Sequence, residues 1–411
     1  MHRLVLSIVP LVPVLLLAAC TDEPQPTAPG AAPRATLALV DSQMSPVSGL
    51  TTTEQNMFGH GKYLFQEKST QAKGLGPTFN ARSCAECHGG EDAIFSGSAN
   101  RVEFHFARLN TDGSCSPLAN YGGFVKQDSA TNLLKYYTSF DAGEPFPTVA
   151  HDTARRISPD LFGFGLIAAI PEADILARAD PNDADGDGIS GRANMVNGVL
   201  GRFGRKAAGT DLDRFNARAY LHEMGVTTPE FTTENSVGQW AVGSDSVPAV
   251  VDPKPDTVEL DGSDLADVNA FIRFLAPLPS QAPSTAQELL GEDLFTQVGC
   301  NKCHTTDAYT TVSSYSALNG KSVRPFSDFL LHDMGSGDIC LENAAPNEFR
   351  TEPLMGARFM SVFAHFMHDG SATDVDQAIR QHGGEAAAAV TAYRNLTSTE
   401  RHALVAYVNI L

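Results

Sequence analysis

Apolar residues recur along the chain in three rhythms, and each predicts a different kind of segment. Residues 4–19 are almost continuously apolar, interrupted by Pro10 and Pro13 and preceded by His2 and Arg3. A membrane-spanning helix needs about 20 such residues, so this shorter run reads as a secretory signal. Residues 102–106 alternate, which puts Val102, Phe104 and Phe106 on one face of a strand. Helical spacing appears in NAFIRFLAPL, at Phe271, Phe274 and Leu275, and in HALVAYVNIL, at Leu404, Tyr407 and Val408. These two strings superpose at an offset of 133 residues. A second echo, G-x-x-L-F, starts at Gly61 and again at Gly291. The chain therefore reads as two related halves, each with an early and a closing helix. The Pro-rich stretch 276–284 divides them.

Between the early and closing helix of each half stands the same short motif. The first reads Cys84-Ala85-Glu86-Cys87-His88 and the second Cys300-Asn301-Lys302-Cys303-His304. Both match C-x-x-C-H, the attachment signature of c-type haem. Two thiols add to the two vinyl groups on one porphyrin edge, and the adjacent imidazole then reaches the iron from one face. Structural zinc wants four Cys/His ligands, and a thioredoxin-like Cys-x-x-Cys needs no trailing His. The repeated His favours haem. The expected architecture is mainly α, with two cytochrome c-like domains, 51–276 and 285–411. His304 to Leu404 spans 100 residues, whereas His88 to Phe271 spans 183. The first domain is thus enlarged by a long insertion with some β-structure.

Composition fills in the setting. The 411 residues are 42% apolar and 19% charged, which is ordinary for globular domains. The net charge of −19 disfavours nucleic acid and anionic lipid and suits a basic partner protein. The signal, 1–19, ends before Cys20 in Leu17-Ala18-Ala19-Cys20, which resembles the lipobox of bacterial lipoproteins. That resemblance implies lipid on Cys20, a flexible Pro-rich tether over 20–50, and a cell-envelope protein facing the periplasm. Cys115 and Cys340 belong to no motif. In an oxidising compartment they form a disulfide or remain two buried thiols, and spacing does not choose.

Asp183, Asp185 and Asp187, followed by Gly188, alternate like the opening of an EF-hand loop, with Gly186 between them. Oxygens at alternate positions wrap a hard cation, so calcium is expected here, with Asp180 and Asn182 as further donors. Position 12 is Asn194 and not a bidentate Glu, which departs from full EF-hand geometry; a solvated acidic turn is the alternative.

From residue 52 onward the chain resembles the di-haem oxidoreductase family, relatives of bacterial di-haem cytochrome c peroxidases and of MauG. The resemblance rests on GLGPTFNARSCAECH, GFGLIAAIPEADIL, DADGDGISGRANMV, GRFGRKA, LHEMGVTTPEF, RPFSDFLLHDMG and FMHDGSATDVDQAIRQHGGEA. It implies that the His304 haem shuttles electrons from a small redox protein, a cytochrome or cupredoxin, to a peroxide-reactive His88 haem. The family's second distal ligand lies 14 positions after the His of H-D-G, here His382. Relatives carry Met or Tyr at that position, and Met334, Met355, Met360 and His365 are rivals. The catalytic Glu of the relatives maps to Glu172, with Glu144 as runner-up. His105 is a possible distal ligand of the first haem. The relatives' inter-haem Trp has no counterpart in position, since Trp240 falls much later. Besides peroxide reduction, a pure electron carrier and MauG-like oxidation of a partner protein are the alternative functions.

Overall fold

The computed structural model describes residues 44–76, 78–88, 102–111, 115–116, 124–125, 128–129, 150, 152–233, 258–341, 343–358 and 366–411. Cys20, Glu144, Trp240, Met360 and His365 lie outside the described residues. The longer helices are α1 (Thr52–Gln66), α2 (Leu212–Met224), α3 (Gly262–Phe274), α4 (Ala286–Gln297), α5 (Val375–Gln381), α6 (Ala387–Asn395) and α7 (Ser398–Val408). The strands that bear on the site are β1 (Val102–Leu109), β2 (Cys115–Ser116), β3 (Phe124–Val125), β4 (Asp152–Ile157), β5 (Leu331–Asp333) and β6 (Glu348–Arg350).

Each half is organised by a helix pair, α1 on α3 and α4 on α7. Three of these helices begin with a Thr-x-x-Glu capping box, Thr51 with Glu54, Thr285 with Glu288 and Thr397 with Glu400. The crossings explain the G-x-x-L-F echo. A Cβ on Gly61 would sit 1.9 Å from the Asp267 carbonyl oxygen, and one on Gly291 would sit 2.1 Å from that of Ala403. Only glycine lets these backbones touch. Four residues on, Phe65 packs on Phe271 with ring centroids 5.1 Å apart, and Phe295 packs on Tyr407 at 5.4 Å.

These contacts correct the internal alignment. Phe271 and Tyr407 are structural equivalents, so the closing helices match at an offset of 136 and not 133. A shift of three residues keeps apolar side chains on one helical face, so periodicity alone misses it.

Two cores result, one for each helix pair. The first also takes in Tyr309, Leu318, Val323 and Phe329, so residues from after the Pro-rich divide are built into the first half's interior. Residues 44–50, the end of the expected tether, are seated on α3. Val47 N–H donates to the Phe274 carbonyl at 2.8 Å, and Met44 is buried.

The described part of the insertion includes a small antiparallel sheet. β1 pairs with β2, β3 and β4, and the β4 register sets Phe104 opposite Arg155 and His105 opposite Ala154. Phe106 is fully buried as the alternation predicts, while Phe104 on the same face is only half-buried. With several two-stranded ladders elsewhere, the described residues are mixed in class, and the expectation of a mainly α chain is corrected accordingly. The sheet is tied to the second half twice. Cys115 and Cys340 form a disulfide, and Arg156 makes a buried ion pair with Asp338 at 2.7 Å.

Candidate haem sites

Each Cys-x-x-Cys closes one turn that ends on its His. Cys84–Cys87 is a single helical turn, and His88 N–H donates to the Cys84 carbonyl at 3.0 Å. Cys300–Lys302 is a 3-10 turn entered through Gly299, and His304 N–H donates to the Cys300 carbonyl at 2.9 Å. The two imidazoles are oriented alike. Nδ1 of His88 lies 2.9 Å from the Pro159 carbonyl oxygen, and Nδ1 of His304 lies 3.0 Å from that of Phe326. A ring nitrogen facing a carbonyl carries the proton, so each Nε2 keeps its lone pair. Burial pushes both imidazoles down to about 4, which keeps them neutral at pH 7. The Cys84 and Cys300 thiols are pushed up to about 12, again by burial, and none of the four motif cysteines is disulfide-bonded.

The second motif opens into a cavity of about 280 Å³ walled by apolar side chains such as Phe295, Leu354, Leu404 and Val408. His382 lines the same cavity. It caps the C-terminus of α5, where its Nδ1 lies 2.7 Å from the Ala378 carbonyl oxygen. Its Nε2 is thereby also the lone-pair nitrogen. Met334 shares the cavity, whereas Met355 is buried in the first core. The first motif opens into a larger and more polar cavity of about 550 Å³. Glu103 and His105, on the polar face of β1, line it together with Glu223 from α2. His105 Nε2 is 2.7 Å from Glu103 Oε2, and Asn80 Nδ2 donates to Glu223 at 2.6 Å. Burial, reinforced by the nearby Arg156 charge, pushes the His105 pKa down.

A family model described as "Di-haem oxidoreductase, putative peroxidase" matches residues 150–411. The chain belongs to this family. The match takes in the second motif and His382, while the first motif precedes it. No curated protein matches. Among solved structures, Kuenenia stuttgartiensis hydrazine synthase pressurised with xenon is similar at 15% identity. The likeness covers 98% of this chain and 99% of that one, with a TM-score of 0.38.

The residues fit the haems of a di-haem oxidoreductase. Each cavity presents two half-buried thiols on one turn and an imidazole whose free nitrogen is fixed by a backbone carbonyl. Among the described residues, no cluster gathers the four Cys/His donors of structural zinc.

Other expected site residues are dispersed. Glu172 begins the short helix Glu172–Leu176 and lines neither cavity; its charge bears on Arg202, whose guanidinium donates to the Ile170 carbonyl at 2.6 Å. In the acidic loop, the carboxylates that converge are Asp180, Asp183 and Asp185. Asp187 instead pairs with Lys302, inside the second haem motif, at 3.0 Å. Asn194 is buried and donates to the Lys206 carbonyl.

Sequence reasoning passed over Glu103, Glu223 and one buried triad in this oxidoreductase. His332 lines the second cavity, with Nε2 3.0 Å from Asp328 and Nδ1 2.8 Å from Glu385. The i,i+4 spacing of Asp328 and His332 within RPFSDFLLHDMG was the available signal.

Proposed function

We propose that this di-haem oxidoreductase reduces hydrogen peroxide at the His88 site. The carrying observation is the asymmetry of the two cavities. One holds His382 beside the motif imidazole, and its other carboxylate–imidazole set is locked with both His332 nitrogens on Asp328 and Glu385, which suits an electron-relay haem. The other, larger and more polar, faces His88 with a half-buried carboxylate–imidazole pair and a second carboxylate, the equipment of acid–base chemistry. When bound, haem supplies the electrons that cleave the O–O bond, so that peroxide, two electrons and two protons give two waters. The chain's part is to move a proton. Glu103 Oε2 takes it from one peroxide oxygen and returns it to the departing one, while His105 Nε2 holds the carboxylate in place at 2.7 Å. Glu103 replaces Glu172 in this role because Glu172 lines neither cavity.

The setting follows the same reading. Lipid on Cys20 anchors the protein in the cell envelope, facing the periplasm. With a net charge of −19, a basic cytochrome or cupredoxin is the electron donor. Calcium is proposed at Asp180, Asp183 and Asp185, with Asp187 engaged elsewhere. His105 supports a second reading. As an iron ligand it would close the first haem and make the protein a pure electron carrier.

The test is Glu103→Gln in haem-loaded protein. Peroxide turnover should fall about 10²- to 10⁴-fold at unchanged haem content. In the wild type, half-reduction should give a high-spin haem signal that peroxide consumes. Two low-spin haems indifferent to peroxide in every redox state would establish the carrier instead.

A further inference from the structure

We propose that Arg205 is a positioning residue that couples the two haem sites, its guanidinium acting as shared counter-charge to porphyrin carboxylates on both sides. The inference deepens the di-haem reading and rests on it. Arg205 is the one described residue that lines both cavities. It lies in GRFGRKA, a segment given no role by the motifs.

The turn that carries Arg205 is fixed from both halves. Phe203 and Gly209 bridge across it, and Ala207 is held at φ +49°. Arg350, on β6, donates its backbone N–H to the Arg205 carbonyl at 2.9 Å and its Nε–H to the Gly204 carbonyl at 3.0 Å. The fully buried Lys206 donates to the Ala345, Pro346 and Glu348 carbonyls at 3.2, 2.7 and 2.7 Å. The backbone that carries the guanidinium is therefore fixed in the wall between the cavities.

Its donors are only partly used. One terminal nitrogen pairs with Glu352 at 3.0 Å and the other donates to the Ile157 carbonyl at 3.2 Å. The buried Nε–H has no partner among the described residues. Glu352 is also claimed by Arg350 at 2.7 Å, so two guanidiniums meet one carboxylate. Asp160, on the wall of the second cavity, accepts the Phe162 N–H at 2.8 Å. A guanidinium with a donor to spare, set between two porphyrin cavities, matches an anionic group. Each porphyrin brings two propionate carboxylates, which need such partners once out of water.

The experiment compares haem-loaded wild type with Arg205→Gln and Arg205→Lys, reading haem content and both midpoint potentials by spectroelectrochemistry. Arg205→Gln should lower the equilibrium constant for one-electron reduction of both haems about tenfold. For such a couple tenfold corresponds to about 59 mV. Arg205→Lys keeps the charge and should restore most of the change. Unmoved potentials, or movement of one haem alone, would overturn the coupling. Should Arg205→Gln fail to load two haems, Glu352→Gln carries the test. Releasing the guanidinium should raise both potentials, and a rise confined to the His304 haem also overturns the proposal. Wild type binding fewer than two haems would sink the di-haem reading itself, whereas two haems with unmoved potentials sink only the role of Arg205.

Discussion

His332 shows how much one side chain can carry. Its two nitrogens face two carboxylates, so it is an imidazolium in a buried wall. Burial pushes its pKa down, but the bonds to Asp328, Cys303 and Glu385 outweigh this and lift it to about 12. For Glu385 burial pushes upward, while His332 and Ser190 bring it down to about 2. The signs set the pH window. The raised imidazole stabilises the fold fully below its ordinary 6.5, and that contribution fades only as pH climbs towards 12. The lowered carboxylate contributes above its ordinary 4.5 and loses its effect as pH falls towards 2. Glu385→Gln should cost on the order of 2 kcal/mol at pH 7 in chemical denaturation and flatten the loss of stability between pH 4.5 and 2. An unchanged acid limb in the variant would remove Glu385 from the stability balance.

At the scale of helices and strands, the glycine crossings make the sharpest forecast. Gly59 and Gly61 share α1, yet a Cβ on Gly59 meets nothing within 4 Å and one on Gly61 meets a carbonyl at 1.9 Å. Gly59→Ala should stabilise by up to about 1 kcal/mol, through helix propensity alone. Gly61→Ala should destabilise by about 3 kcal/mol or more, since a carbonyl cannot step aside as a flexible side chain does. Thermal unfolding of the pair settles it, and equal midpoints would refute the crossing as drawn. The same elements show what could be read from the chain. The closed Cys-x-x-Cys-His turns, the paired helices and the burial of Phe106 were legible, because spacing and alternation report local geometry. Helix register was not, for a slip of three residues leaves the apolar face intact. Nor was Glu103, since the polar side of a strand looks the same whether it faces solvent or a cavity. His382, singled out by its distance from H-D-G, lines the second cavity, whereas the partners of Arg205 come from the 157 and 352 regions and meet only in three dimensions.

The whole molecule depends on ties between its halves. The Cys115–Cys340 disulfide spans 225 residues, and the flanking Ile339 and Leu341 line the first haem cavity although they come from the second half. Replacing both cysteines with Ala should lower stability by about 2–4 kcal/mol. It should also perturb the absorption of the His88 haem more than that of the His304 haem; an equal effect on both would mean that the tie does not shape the first cavity. The pairing has a further consequence, for biogenesis. Six cysteines, 84, 87, 115, 300, 303 and 340, can in principle combine into 15 sets of three bridges. The folded chain closes one bridge and buries the Cys84 and Cys300 thiols in their unreactive protonated form. The single bridge thus locks the halves together without consuming a thiol of either Cys-x-x-Cys turn.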